Sequence, residues 1–308
     1  MSSPEVSVVM GVYNGAEHLE QTLESVLSQE GCDLEFIVVD DGSTDGTGRI
    51  LDEWAARDGR LRVIHQENTG LTRALIRGCA EARGEFIARQ DAGDVSLPGR
   101  LAAQCSYLAS HPKVALVASG TRFVGPAGES LYEITRMGKE LGAGLALLSV
   151  EEIRGPSHHG STMFRKESYL STGGYRLAFN VAQDIDLWLR LAEVGGSWGI
   201  GDIHYQARLA ANSISGRRRD EQFRAGLLAI ECARLRRSGR DDRGRLDAGN
   251  LQKKQAGNPT TRQEKARFYY FIGACLSKRD PVAARRYFKR AVRENPLFIK
   301  ALGRSILG

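Results

Sequence analysis

Nowhere does this chain of 308 residues approach the roughly 18–20 consecutive apolar residues that a membrane-spanning helix needs, so no segment reads as a span. Its start also lacks a basic segment followed by an apolar stretch, so no signal peptide is expected. The five cysteines (Cys32, Cys79, Cys105, Cys232 and Cys275) are scattered, with no C-x-x-C pair. That spacing argues against a zinc site or a disulfide framework and for reduced thiols in a cytoplasm. No nucleic-acid-binding module is recognisable, and aromatic and basic residues do not interleave. What remains is ordinary for a water-exposed protein, with 42% hydrophobic and 26% charged residues. The length suits one full α/β domain and a smaller unit.

The first hundred residues alternate apolar runs with helical spacing. Val6 to Met10 reads as a buried strand, Gly11 to Gly15 as a turn, and Ala16 to Gln29 as a helix through Leu19, Leu23, Val26 and Leu27. Strands then follow at 34–39, 61–64, 85–89 and 114–119, with helices at 48–56, 69–82 and 99–110. This alternation predicts a parallel, doubly wound sheet. Beyond Gly120 the pattern loosens, with a hairpin turn at 123–129, a short strand at 162–165, a helix at 183–194 and a late strand at 198–205.

Two of the strands run into acid. Phe36 to Val39 ends in Asp40 and Asp41, and Gly84 to Gln90 ends in Asp91-Ala-Gly-Asp94. In open α/β sheets ligands bind at the carboxyl ends of strands. Two such ends point to one polar pocket for a nucleotide and a cation. The plainer alternatives are that Asp41 caps a turn or helix, that Asp94 caps the helix after Pro98, and that Asp40 braces its turn.

The ordered motifs carry a resemblance. Ser7-Val-Val-Met-Gly-Val-Tyr-Asn14, Val39-Asp-Asp-Gly-Ser-Thr-Asp-Gly-Thr47, Asn68-Thr-Gly70, Gly84-Glu-Phe-Ile87, Asp91-Ala-Gly-Asp94, Pro98-Gly-Arg-Leu101, Gly173-Gly-Tyr175 and Asp184-Ile-Asp-Leu-Trp-Leu-Arg190 resemble the family-2 glycosyltransferases over roughly residues 5–215. The resemblance implies a GT-A (Rossmann-like), mostly parallel sheet flanked by helices, and inverting transfer of a hexose-type sugar from a UDP- or GDP-sugar to a hydroxyl of a glycan or lipid-linked saccharide. It implies that Asp41 reads the base, that Gly11 and Tyr13 line the same pocket, and that Asp184 is the general base. It also implies Mg²⁺ or Mn²⁺ at an Asp-x-Asp motif.

The chain departs from that pattern in several places. The third motif position is Gly93, so Asp91 keeps the first acidic place and Asp94 joins it only if the backbone turns at Gly93. Gln183 precedes Asp184 where the family carries Glu, and Asp184 at a helix start also suits the helix dipole alone. The family places a histidine near the diphosphate or acceptor, and His159 of the His158-His159 pair takes that place, although a tandem pair in a loop is as readily incidental. Arg208 keeps the arginine of a later motif, for phosphate oxygens, while Ala210 replaces its histidine; Ile76 stands in place of an Asn. A non-catalytic sugar-nucleotide-binding or scaffolding protein is the rival. A nucleotidyltransferase is less suited, because no basic Gly-rich loop near the N-terminus would hold a triphosphate.

The expected domains are 1–216 for transfer and 217–308 as a basic helical region. The net charge of +6 is concentrated there, including Arg217-Arg-Arg219 and Arg234 to Arg245. Such a stretch is either a solvated surface or attracted to an anionic membrane face, which would place the protein peripherally at the inner membrane. Residues 238–261 read as a linker. Glu264 to Leu307 resembles one tetratricopeptide-type hairpin through Gly273, Leu276, Ala284, Phe288, Ala291 and Pro296, packed on the catalytic domain, a second copy or another protein.

Overall fold

The computed structural model describes residues 3–148, 155–211, 219–248 and 261–307. The chain divides into two compact units. The larger comprises 1–121, 134–207 and 223–251; the smaller comprises 122–133, 208–222 and 252–308. The boundary thus falls differently from residue 216. Helix α8 (Arg219–Arg237) places Ala225, Leu228, Ala229, Ile230, Cys232 and Ala233 in the core of the larger unit. Arg217 and Arg218 lie outside the described residues.

In the larger unit the strands are β1 (Val6–Val12), β2 (Leu34–Asp40), β3 (Leu61–His65), β4 (Phe86–Arg89), β5 (Val95–Ser96), β6 (Val114–Val124, its end passing into the smaller unit), β8 (Thr162–Arg165) and β9 (Gly196–Arg208). Their order is β3-β2-β1-β4-β8-β6-β9-β5. β1 to β4 pair in parallel, as the alternation of strand and helix requires. β8 runs antiparallel to both β4 and β6, and β5 antiparallel to β9. The sheet is therefore half parallel and half antiparallel.

Strand periodicity explains how two cores form. Val6, Val8, Met10 and Val12 face one layer, with Leu19 and Leu23 of α1 (Ala16–Leu27), Leu51 of α2 (Thr47–Ala55) and Leu101 of α4 (Arg100–Ser110). Val9 faces the other layer, with Leu75 and Cys79 of α3 (Leu71–Ala80) and Leu187, Leu189 and Leu191 of α7 (Gln183–Val194). Both faces of the sheet are covered, so its strands read as continuous apolar runs. Short elements α5 (Glu140–Ala146) and α6 (Lys166–Ser171) follow the antiparallel strands, and α9 (Arg243–Ala248) follows α8.

The smaller unit holds the end of β6, β7 (Ser130–Ile134), and helices α10 (Arg262–Leu276), α11 (Pro281–Glu294) and α12 (Ile299–Leu307). The turn at 125–128 closes through Gly125 N donating to Glu129 O at 2.8 Å. Leu131, Ile272, Leu276, Ala284, Tyr287 and Phe288 form its core. A Thr261–Glu264 capping box opens α10, and Asp280 caps α11 with Pro281 at its first position. Among the described residues no helix is long and apolar enough to cross a membrane.

Candidate active site

The carboxyl ends of β1, β2 and β4 converge, and the sequence ties their loops together. Asn14, with positive φ of 51°, accepts from Thr44 N at 2.8 Å, and its own N–H donates to Ser43 Oγ at 2.9 Å. Asp41 N donates to Val12 O at 2.8 Å. Asp40 is a brace: it accepts from Ser43 N at 3.0 Å and pairs with His65 Nδ1 at 2.9 Å. Asp52 and Asp40, in that order, raise the pKa of His65.

Asp41 is buried and well satisfied. Its Oδ1 accepts from Gln66 Nε2 at 2.7 Å and Thr69 N at 2.9 Å, and its Oδ2 accepts from Gly70 N at 2.8 Å. It holds the backbone that leads into α3, and acceptor capacity is left on Oδ2. Gly11 is buried under Leu71 and Ala74 of that helix. Tyr13 is half exposed at the strand end.

The second acidic end is a tight turn. Gly93 takes φ of 91°, a left-handed value that glycine adopts without a Cβ penalty, and Asp94 N returns to Asp91 O at 3.2 Å. An Asp at 93 would be strained there. Asp94 does not cap α4, whose first residues have no side-chain cap. Instead Tyr205 donates its hydroxyl to Asp94 Oδ2 at 2.9 Å and accepts from Asp91 N at 3.1 Å. The phenol pKa is well above 10, because burial and the neighbouring Asp94 and Asp91 charges oppose ionisation. Gly160 leaves room for this ring: a Cβ there would lie 1.9 Å from the Tyr205 oxygen.

The turn brings three ligating groups together. Oxygens of Asp91 and Asp94 and a ring nitrogen of His158 lie within 4.8 Å of one another. His158 Nδ1 is 3.7 Å from Asp91 Oδ2 and 3.6 Å from Asp94 Oδ2. This Nδ1 also accepts from Gly160 N at 3.1 Å. Burial would raise the Asp91 pKa, but the charge of the adjacent Arg89 outweighs it and holds the carboxyl below its usual range. Arg89, fully buried, supplies the nearest charge at 2.7 Å from Asp91 Oδ1, leaving Oδ2 for the cluster. Two carboxylate oxygens and one imidazole fit a divalent cation.

His159 faces elsewhere. It is buried, accepts from Arg89 Nε at 3.3 Å, and contacts Tyr175 Oη at 2.7 Å. Burial and the Arg89 charge push its pKa well below 6.5, so it is neutral. The histidine beside the carboxylates is therefore His158. Its backbone at −154°, 147° starts the one-turn 3₁₀ helix at 159–161 that separates the two rings.

Asp184 opens α7 after Ala182, whose φ of 55° is left-handed without being glycine. Such a residue costs about 1–3 kcal/mol and survives only where its surroundings demand it. Asp184 Oδ1 accepts from Ile185 N at 2.9 Å. Burial raises its pKa; the Asp91 charge pushes the same way, while local N–H bonds and His158 oppose it. Asp184 thus senses the acidic turn electrostatically. Two residues on, buried Asp186 turns away and is gripped by Arg176 at 3.0 Å and by Arg190 at 2.6 Å. Arg176 also reaches Asp242 at 2.7 Å, so residues after 216 brace the helix that carries Asp184. Arg208 belongs to the smaller unit, where its Nη1 donates to Pro126 O at 3.3 Å.

A family model described as Glycosyl transferase family 2 matches residues 7–170. The chain belongs to glycosyltransferase family 2. EpsE of Bacillus subtilis is 32% identical over 241 residues, covering 76% of this chain and 84% of EpsE. The amylovoran biosynthesis glycosyltransferase AmsE of Erwinia amylovora is 29% identical over 221 residues, covering 69% and 79% respectively. Among solved structures, S. aureus TarS in complex with UDP superposes with a TM-score of 0.57 at 16% identity, covering 98% of this chain and 88% of that one. Mannosyltransferase PcManGT from Pyrobaculum calidifontis, in complex with GDP-Man and Mn²⁺, gives 0.56 at 19% identity, covering 99% and 88%. These likenesses carry the GT-A fold. The family match ends before Asp184 and Arg208.

Proposed function

We propose that this family-2 glycosyltransferase moves a sugar, with inversion, from a UDP- or GDP-sugar to a hydroxyl of a growing surface polysaccharide or its lipid-linked precursor. The observation that carries the reading is the convergence of Asp91, Asp94 and His158 at the β4 end, within electrostatic reach of Asp184. Relatives are named for amylovoran, chondroitin and O-antigen synthesis, which supports a polysaccharide acceptor. Neighbours in fold were solved with UDP, UDP-GlcNAc and GDP-Man, which supports the donor class.

In this mechanism Asp41, at the β2 end, accepts an N–H of the base through Oδ2, next to Tyr13 and the backbone of Gly11. Asp91, Asp94 and His158 would hold Mn²⁺ or Mg²⁺; two carboxylates with an imidazole suit Mn²⁺ better, because Mg²⁺ prefers oxygen throughout. The ion, when bound, offsets charge on the departing diphosphate. Asp184 accepts the proton of the acceptor hydroxyl as that oxygen bonds to the anomeric carbon and the bond to diphosphate oxygen breaks. Its raised pKa makes it a stronger base than an ordinary carboxylate. His159 stays neutral, holding Arg89 and Tyr175 behind the turn rather than touching phosphate.

An intact acid cluster, a buried base and satisfied second contacts favour catalysis over a scaffold role. The test is thermal stabilisation by a panel of nucleotide sugars with and without Mn²⁺. A ligand at about 100 times its Kd adds about 2.7 kcal/mol of stability. One UDP- or GDP-sugar should stabilise the protein, more so with Mn²⁺. A flat response across the panel would overturn the donor assignment.

A further inference from the structure

The basic region after residue 216 separates into two parts that behave differently. Arginines of α8 and α9 are used internally. Arg236 pairs with Glu193 at 2.7 Å, Arg245 with Glu231 at 2.6 Å, and Arg237 donates to Leu145 O at 3.2 Å. They brace the larger unit. The remaining excess lies in residues 262–307, which hold twelve Lys and Arg against three Asp and Glu, so this segment carries more than the whole chain's net +6.

Within it, α11 sorts its residues cleanly by face. Ala283, Ala284, Tyr287, Phe288 and Ala291 are buried. Arg286, Lys289 and Arg293 are exposed at spacings of three and four, which places them on one narrow stripe, with exposed Val282 at its start. Like charges at these spacings repel along a helix. A negatively charged surface would relieve that repulsion. Large aliphatic side chains stand exposed nearby: Val282 at 74%, and Leu297 at 86% and Ile299 at 80% just beyond the helix end.

We propose that the outer face of α11, with the Leu297–Ile299 corner, is a docking surface for an anionic lipid bilayer. Cations alone would suit any polyanion. The neighbouring exposed residues decide between them, because Val282, Leu297 and Ile299 offer no ring for a base to stack on but bury well among acyl chains. Basic residues near headgroups and a few inserted aliphatic side chains together give reversible, salt-sensitive attachment.

The test is flotation of the full chain with vesicles of phosphatidylcholine alone and of phosphatidylcholine with phosphatidylglycerol, at low and high salt. Binding should require phosphatidylglycerol and weaken with salt. The variant Arg286→Glu/Lys289→Glu/Arg293→Glu should lose more than about tenfold in partitioning. The variant Leu297→Ser/Ile299→Ser should lose several-fold while staying salt-sensitive. Both should keep the wild-type melting temperature, since all five side chains are exposed. No recovery with anionic vesicles, or equal recovery of the charge-reversed variant, would overturn the proposal. So would tighter binding of single-stranded RNA than of vesicles at the same salt. The assay needs no donor or turnover, so its failure leaves the glycosyltransfer reading untouched.

Discussion

Replacing Tyr205 with Phe removes one oxygen and tests the acidic turn from behind. The hydroxyl donates to Asp94 Oδ2 at 2.9 Å and accepts from Asp91 N at 3.1 Å, in a fully buried position. A hydrogen bond to a charged group contributes about 1.5–3 kcal/mol, and an unpaired buried N–H costs about 1–3 kcal/mol. Folding stability should therefore fall by about 2.5–6 kcal/mol before relaxation, the lower part being reached if water enters the space. The stacked His158 ring, 5.4 Å from the phenol centroid, loses little. Outer groups that orient metal ligands typically matter by about 10–100-fold in metal affinity. Denaturant unfolding and calorimetric titration of Mn²⁺ in the presence of nucleoside diphosphate measure the two effects separately. Stability lost with Mn²⁺ affinity unchanged would show that Tyr205 serves packing alone and that Asp94 is not a ligand.

Asp41→Ala should weaken nucleoside diphosphate binding by about 1.5–3 kcal/mol by calorimetry; it should also lower stability, since Asp41 anchors Thr69 and Gly70. Gly93→Asp, restoring the family acid, should tighten Mn²⁺ in a titration with nucleotide yet cost about 1–2 kcal/mol of stability through the left-handed backbone. His65 has a folded pKa above its ordinary 6.5, so its ion pairs stabilise fully below that value and are lost as pH rises through the folded pKa. The melting-temperature difference between wild type and His65→Asn should accordingly shrink on going from pH 5 to pH 9; a difference that grows would contradict the assignment.

The parallel half of the fold was legible because β1 and β2 are buried on both faces and read as continuous apolar runs, while α1 keeps strict helical spacing. β5 was not, because two residues carry no period; it exists only because Val95 and Ser96 pair with Gln206 and Tyr205. The same long-range pairing hid Tyr205 as a site residue, since its partners lie 111 and 114 positions away. Asp91 and Asp94 were legible as acids at a strand end, and Gly93 marked where the backbone had to turn. Which of His158 and His159 faces the acids depends on one residue's backbone rotation, which residue type does not reveal. The charge run from Arg234 to Arg245 looked like a surface in sequence, but Arg236 and Arg237 pair with Glu193, about forty positions earlier on α7.

The central claim is that Asp184 is the base for glycosyl transfer. The direct measurement is turnover of Asp184→Asn with the donor that stabilises the wild type, alongside its nucleoside diphosphate affinity. The account predicts turnover reduced by about 10²–10⁴-fold with affinity nearly unchanged. Turnover near that of the wild type, with the same donor and acceptor, would contradict it.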